Sequence, residues 1–209
     1  MSIRIADGAT VLFQGDSITD GGRSREDDGQ LGGGYANMVA AWYSAAHPER
    51  QVRFLNRGIG GNRVKDLQSR WQADCLDLKP DVLSILIGIN DVWRRYDSNA
   101  PTRCEVYETG YRDILAQVRE NLDAHLILLE PFVLPTPPDR ETWAEDLGPK
   151  RQAAARLADE FDATFVPLHS IFQDAAQHRE PAFWASDGVH PSQAGHALIA
   201  QAWLSAAGT

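Results

Sequence analysis

Five short, β-rich apolar runs alternate along this chain with longer stretches in which apolar residues recur every three or four positions. A strand buried on both faces reads as a continuous apolar run, whereas a helix covering a sheet shows the 3.6-residue period. Strict alternation of the two leaves few folds open. Antiparallel neighbours need only a tight turn, but parallel neighbours need a crossover of roughly a dozen residues, which the helical stretches supply. The expected strands are residues 10–14, 51–56, 81–87, 125–129 and 164–168. The expected helices are 35–46, 150–161 and 192–206, the last capped by Ser192, with two more marked by apolar stripes. Val64, Leu67, Trp71, Cys75 and Leu78 form one stripe, and Tyr107, Tyr111, Ile114, Leu115 and Val118 the other. The fold class is α/β, three layers deep (α/β/α), around a five-stranded parallel sheet.

At 209 residues the chain suits one well-buried core, so a single domain over 1–209 is expected. A net charge of -9 opposes binding to nucleic acid or to an anionic membrane, and a neutral or cationic small molecule fits better as partner. The N-terminal stretch Met1 to Gly8 lacks the apolar run of about 7 to 15 residues of a secretion signal, and no segment approaches the ~20 apolar residues of a membrane span. A cytoplasmic location is expected. Cys75 falls on a helix stripe, so it and Cys104 are expected as free thiols rather than a disulfide. Whether the chain forms a homo-oligomer is left open. One long irregular stretch, 131–149, carries five prolines after the fourth strand and is expected to hang over the sheet's carboxyl rim.

Doubly wound sheets bind ligands beyond the carboxyl ends of their strands, and three polar clusters fall there. Gly15-Asp16-Ser17-Ile18-Thr19 follows the first strand, and it reads either as a tight turn in which Ser17 caps a helix or as the seat of a nucleophile. Asn56-Arg57-Gly58-Ile59-Gly60-Gly61-Asn62-Arg63 follows the second. Gly58 and Gly60 match the first two glycines of a dinucleotide loop, but Arg63 occupies the third glycine's place. The alternatives are a loop needing positive φ, or an amide, best that of Gly61, aimed at a developing oxyanion. Gly88-Ile89-Asn90-Asp91 follows the third strand, where Asn90 is either a strand terminus or a neutral donor to the same oxyanion.

Near the other end, Asp187-Gly188-Val189-His190 places a carboxylate three residues before an imidazole. The pair reads as a surface contact or as the acid and base that a serine hydroxyl needs. The histidines at 47, 125, 169, 178 and 196 lack such a setting, and His125 and His196 read as structural. No motif has metal-ligand spacing, and the Gly-x-Ser-x-Gly, Ser-x-x-Lys and His-Glu-x-x-His patterns are missing, so neither metal nor cofactor is expected.

Taken in order, Gly15-Asp16-Ser17, Gly61, Gly88-Ile89-Asn90 and Asp187-Gly188-Val189-His190 resemble the blocks of the SGNH, or GDSL-like, hydrolase family. The resemblance implies a flavodoxin-like sheet, Ser17 as nucleophile, the Ser17 amide with Gly61 and Asn90 as oxyanion donors, and Asp187 and His190 as acid and base. Within that family, Gly15 to Asp20 and Ile87-Gly88-Ile89-Asn90-Asp91-Val92-Trp93-Arg94 are similar to intracellular acetyl-xylooligosaccharide esterases, although Ser186 stands where those would carry a bulky aromatic. Trp93 and Trp184 flank the blocks and are candidates to stack on a sugar, each with a core role as the alternative, and Asp16 joins them as a substrate-binding candidate. The implied function is a metal-independent serine esterase acting on small O-acyl, chiefly O-acetyl, esters of sugars. One alternative is a lysophospholipase or general short-chain carboxylesterase, for which the 131–149 stretch with Trp143 is the candidate rim. Another, of a different class, is a noncatalytic ligand-binding module.

Overall fold

A computed structural model describes residues 5–208; Met1 to Arg4 and Thr209, part of the N-terminal stretch and of the 1–209 span above, lie outside the described residues. The strands are β1 (Thr10–Gly15), β2 (Arg53–Asn56), β3 (Val82–Leu86), β4 (His125–Leu129) and β5 (Thr164–Val166). All pair in parallel, in the order β2-β1-β3-β4-β5. The helices are α1 (Ser17–Asp20), α2 (Tyr35–Ala46), α3 (Val64–Asp74), α4 (Ile89–Ser98), α5 (Cys104–Asn121), α6 (Ala144–Glu160), α7 (Leu168–Ala176), α8 (Pro181–Trp184) and α9 (Gln193–Ala207).

Side chains alternate across a strand, and here each face meets its own apolar layer. Val11, Phe13, Val82, Leu86, Ile127 and Leu129 point to the core shared with α2, α7 and α9, whereas Leu12, Leu83, Ile85, Leu126 and Leu128 point to the core shared with α3, α5 and α6. Both faces are therefore dry, which is why the strands lack a polar/apolar rhythm. Ser84 breaks the apolar run in β3, and its hydroxyl accepts a 3.0 Å hydrogen bond from Trp203 Nε1 of α9. That bond removes the cost of burying the hydroxyl and pins α9 to the middle of the sheet. On the other face, Trp71 Nε1 of α3 donates to the Ile114 carbonyl of α5 at 3.1 Å.

The chain runs from β1 outward to β2 and then returns past β1 to β3, so strand order reverses between β1 and β3. The crossovers leave in opposite directions there and open a crevice at the carboxyl ends. Gly15 pairs with Leu86 at that edge, so Ser17 and Asn90 start from neighbouring points.

The expected elements form, with shifted ends. β5 stops at Val166 because Pro167 has no N–H for the ladder and Leu168 already opens α7. α6 starts at Ala144 rather than 150, and Pro149 lies inside it. Lys150 is buried and its ammonium is held 3.0 Å from Asp146 Oδ1 one turn earlier, which favours the helix across the proline. The 131–149 stretch is therefore not irregular throughout. A 3₁₀ turn, Pro138–Trp143, precedes α6, and Phe132, Val133, Leu134, Trp143 and Leu147 are buried in the core. The α3 stripe ends with a 3₁₀ turn, Leu76–Leu78, and Ser192 caps α9 by accepting from the Gly195 amide at 3.2 Å. Periodicity missed α4, α7 and α8. α4 turns inward the polar Asn90 and Asp91 beside Ile89 and Val92, which hides an apolar stripe, and α7 buries only Leu168 and Phe172. Cys75 and Cys104 are free thiols, and among the described residues no helix is long and apolar enough to cross a membrane.

Candidate active site

Ser17 opens α1 directly after β1, and the chain turns into the helix because the Asp16 carboxylate caps it, accepting from the Ile18 amide at 3.0 Å. This seats the Ser17 hydroxyl at the strand's carboxyl end, with Oγ 2.9 Å from His190 Nε2. His190 Nδ1 lies 2.6 Å from Asp187 Oδ2. The other Asp187 oxygen accepts from the amides of Val189 and His190, at 2.9 and 2.7 Å. Partial burial alone would raise the Asp187 carboxyl, but the hydrogen bonds from the His190 ring and from these two amides outweigh it and hold the group below its ordinary value. An ionised Asp187 accepts a hydrogen bond from the Nδ1–H of the imidazole, which leaves Nε2 as the acceptor facing the serine hydroxyl.

The turn carrying this pair is fixed from outside. Gly188 has φ +81 and sits so close to the chain after β4 that a Cβ would come within 2.3 Å of the Thr136 carbonyl. The Leu134 amide donates to the Gly188 carbonyl at 2.8 Å. Arg140, from the 3₁₀ turn, donates from Nε to the Asp187 carbonyl at 3.2 Å while its guanidinium lies over the rings of Trp143 and Trp93, 4.1 and 5.4 Å from their centroids. Trp93 in turn packs 5.7 Å from the His190 ring.

Facing them, the glycine-rich loop after β2 is tied to α1. Arg23 and Arg25 both donate to the Gly58 carbonyl at 3.0 Å, and the Gly60 amide donates to Asp20 Oδ2 at 3.1 Å. Gly61 follows with φ +81, in the left-handed region that a side chain rarely adopts. Asn90 Nδ2 donates to the Asn62 carbonyl at 3.1 Å, and buried Asp91 accepts from the Val64 amide at the start of α3. Burial pushes the Asp91 carboxyl up to about 6, against the lowering effect of that amide. Ser17, Gly61, Asn90, Trp93, Arg94, Asp97 and His190 together line an open cavity of about 250 Å³. Among the described residues no group of three His, Cys, Asp or Glu is placed to hold a metal ion.

Ser17, Gly61, Asn90, Trp93, Asp187 and His190 are thus brought together. Two expected substrate contacts are not. Asp16 is 1% exposed and serves as the α1 cap, beneath the cavity instead of lining it. Its other oxygen is buried with no hydrogen-bond partner among the described residues, and burial pushes the carboxyl up to about 7, partly offset by the Ile18 amide. Trp184 ends α8, packs edge-on against Phe183 and against the core, and donates to the Arg179 carbonyl. It does not line the cavity, because the turn after α8 carries the chain away before Asp187. Arg94, Asp97 and Arg140 were not singled out from sequence. The first two follow Asn90 by one and two helical turns, a signal that would have shown had α4 been recognised; Arg140 carries no local signal at all.

Residues 13–198 match the model of the GDSL-like lipase/acylhydrolase family. The chain is 36% identical over 210 residues, 97% of its own length and 95% of the other's, to an acetylxylan esterase of Geobacillus stearothermophilus. The crystal structure of that esterase, Axe2, superposes with a TM-score of 0.89 at 36% identity, covering 99% of this chain and 97% of that one. A protein from Parabacteroides merdae assigned as a GDSL-like lipase superposes with a TM-score of 0.96 at 37% identity, covering 100% of this chain and 99% of that one. Variants of Axe2 in which a serine, an aspartate or a histidine is replaced by alanine are described as catalytic mutants, and that aspartate and histidine are three residues apart. With the family's model spanning most of its length, this chain belongs to the GDSL-like lipase/acylhydrolase family and is a carboxylic ester hydrolase.

Proposed function

We propose that the chain is a serine esterase that hydrolyses O-acetyl esters of carbohydrates with Ser17, His190 and Asp187 as its catalytic triad. The observation that carries the proposal is the line of contacts from Ser17 Oγ to His190 Nε2 and from His190 Nδ1 to Asp187, 2.9 and 2.6 Å long. Ser17 Oγ attacks the ester carbonyl as His190 takes its proton, and ionised Asp187 stabilises the imidazolium. The oxyanion is received by the amides of Ser17 and Gly61 and by Asn90 Nδ2. His190 then returns the proton to the departing alcohol, and water repeats the sequence to release the acid. The similarity to Axe2, whose serine, aspartate and histidine variants are called catalytic mutants, supports these roles.

The acetyl and sugar specificity is supported by the acetylxylan esterase relative and by the polar lining that Arg94 and Asp97 give the cavity. A long-chain lipid substrate is less well served. The cavity beside the 131–149 stretch, about 210 Å³, has Val133, Pro135 and Leu147 in its wall together with Arg140, Arg151 and His169, but neither Ser17 nor His190. Trp143, the candidate rim residue, is buried between Arg140 and Tyr96, with the Tyr96 ring stacked at 4.9 Å. The free thiols suit a reducing compartment, which supports a cytoplasmic location for a single-domain enzyme.

Ser17→Ala should leave a folded protein with almost no turnover of p-nitrophenyl acetate, and a serine-directed phosphonate should label wild type at Ser17 alone. A label mapped by mass spectrometry to another serine overturns the triad. Absence of wild-type turnover on both aryl and sugar acetates would leave a noncatalytic binding module.

A further inference from the structure

α4 presents one face to the cavity. Asn90 stands at its base, with Trp93 and Arg94 one turn later and Asp97 a turn beyond, and all four line the same wall. At 1.5 Å per residue, this wall rises about 10 Å from Asn90 to Asp97, roughly the reach of two linked sugar rings. The Arg94 guanidinium and the Asp97 carboxylate are paired through Nη1 and Oδ2, each side chain only about one-third exposed. The pair reaches back over the oxyanion side of the cavity, since a Cβ at Gly61 would lie 3.4 Å from Arg94 Nη2. Among the described residues, Arg94 Nε and Nη2 have no protein acceptor, so these donors remain available beside the Asp97 carboxylate, whose oxygens each accept one bond, from Arg94 and from the Ser98 hydroxyl, and each keep a second lone pair for a ligand.

A fixed donor set next to a fixed acceptor, with an indole face alongside, matches neighbouring hydroxyls on a pyranose ring: the guanidinium gives hydrogen bonds, the carboxylate takes them, and the ring's C–H face packs on tryptophan. An alkyl chain on this wall would strip water from both charges and return nothing. The proton-donating imidazole also faces this way, with the Trp93 ring 5.7 Å from His190, so the departing alcohol lies toward α4.

We infer that Arg94 and Asp97 form the recognition edge for vicinal hydroxyls of the sugar alcohol, with Trp93 as its stacking face. This rests on the esterase reading above and deepens it, by naming the part of the substrate that is read and the residues that read it. Trp93, Arg94 and Asp97 are specificity-determining; the bond-breaking atoms are Ser17 and His190.

The test compares acetylated xylooligosaccharides with p-nitrophenyl acetate in wild type, Arg94→Met and Asp97→Asn. Arg94→Met keeps the side chain's bulk without its donors, and Asp97→Asn keeps the shape while halving the acceptor capacity. Both variants should raise KM for the sugar ester about tenfold and lower the ratio of kcat/KM for sugar ester over aryl ester by a similar factor. Unacetylated xylobiose should inhibit aryl ester hydrolysis by wild type, and each variant should need about tenfold more of it. Equal loss on both substrates, or an unchanged ratio and unchanged xylobiose inhibition, overturns the inference. Wild type that turns over the aryl ester but neither the sugar ester nor responds to xylobiose also overturns it, while leaving the esterase reading standing. Wild type inactive on both esters instead sinks the esterase reading, and the inference with it.

Discussion

Arg140 Nε lies 3.2 Å from the carbonyl oxygen of Asp187, joining the 3₁₀ turn before α6 to the turn that bears His190. Arg140 also covers Trp143 and Trp93, so one side chain holds both the backbone of the proposed acid and the aromatic wall beside the proposed base.

Arg140→Ala should therefore lower kcat by about 10- to 100-fold, the scale expected when catalytic groups are displaced by ~1 Å. Arg140→Lys keeps the charge but loses the planar face and the Nε donor, and should recover only part of the rate. Steady-state kinetics on p-nitrophenyl acetate, beside the thermal midpoint of each variant, checks this. A fall in midpoint with kcat unchanged would reduce Arg140 to a structural role.

Asn90→Ala removes the proposed oxyanion donor, whose hydrogen bond in that role strengthens as the carbonyl oxygen becomes charged. Loss of such a donor typically costs about 10²- to 10³-fold in kcat, with a smaller effect on KM. The pH profile should keep its wild-type shape, because the side-chain amide does not titrate. A rise in KM alone would make Asn90 a ground-state contact.

His196 is 8% exposed, and its Nδ1 accepts from the Tyr35 amide at 3.2 Å, a role open only to the neutral ring. Burial, and to a lesser degree the charge of His190, pushes it down from 6.5 to about 4. In the unfolded chain it takes a proton more readily, so its stabilising effect is complete above 6.5 and is lost as pH falls toward 4. His196→Asn supplies an amide oxygen to Tyr35 without the titration. Urea unfolding at a series of pH values should show wild type losing stability relative to this variant across that window.

Asp16 works in the opposite direction. Its folded carboxyl is raised from 3.8 to about 7, so the folded chain holds this proton more tightly, and the benefit is lost as pH rises from about 4 through 7. Asp16→Asn retains a capping oxygen for the Ile18 amide and should gain stability relative to wild type over that interval. A difference in unfolding free energy that is flat with pH would mean that the carboxyl is not protonated when folded.

The sheet was legible because both its faces are buried, so each strand announces itself as an apolar run. Ser17, Asp187 and His190 were legible because each lies in a short motif whose neighbours are also constrained, Gly15 by the strand end and Gly188 by its close approach to the Thr136 carbonyl. Asp16 and Trp184 show the limit of reading by adjacency. Asp16 is next to Ser17 in sequence, but its side chain turns inward to cap the helix, and Trp184 precedes Asp187 by three residues on the far side of a turn. Arg140 was illegible because its role depends on which segment folds over the Asp187 turn, a tertiary fact with no local signature. α4 stayed hidden for a chemical reason: it turns polar Asn90 and Asp91 inward toward the site and the start of α3.

Ser17 and His190 meet across 173 residues of sequence, the first following β1 and the second preceding α9. During synthesis, a chain emerging from the ribosome can pair β1 with β3 and seat the Ser17 and Asn90 loops long before residue 190 has been added. Such a nascent chain has the Ser17 hydroxyl but not yet His190, the proposed base. With Ser17 and His190 in their proposed roles, hydrolytic power arrives late, with the docking of α9, and the regain of activity in a refolding experiment reports closure of the longest-range contact in the site rather than collapse of the sheet.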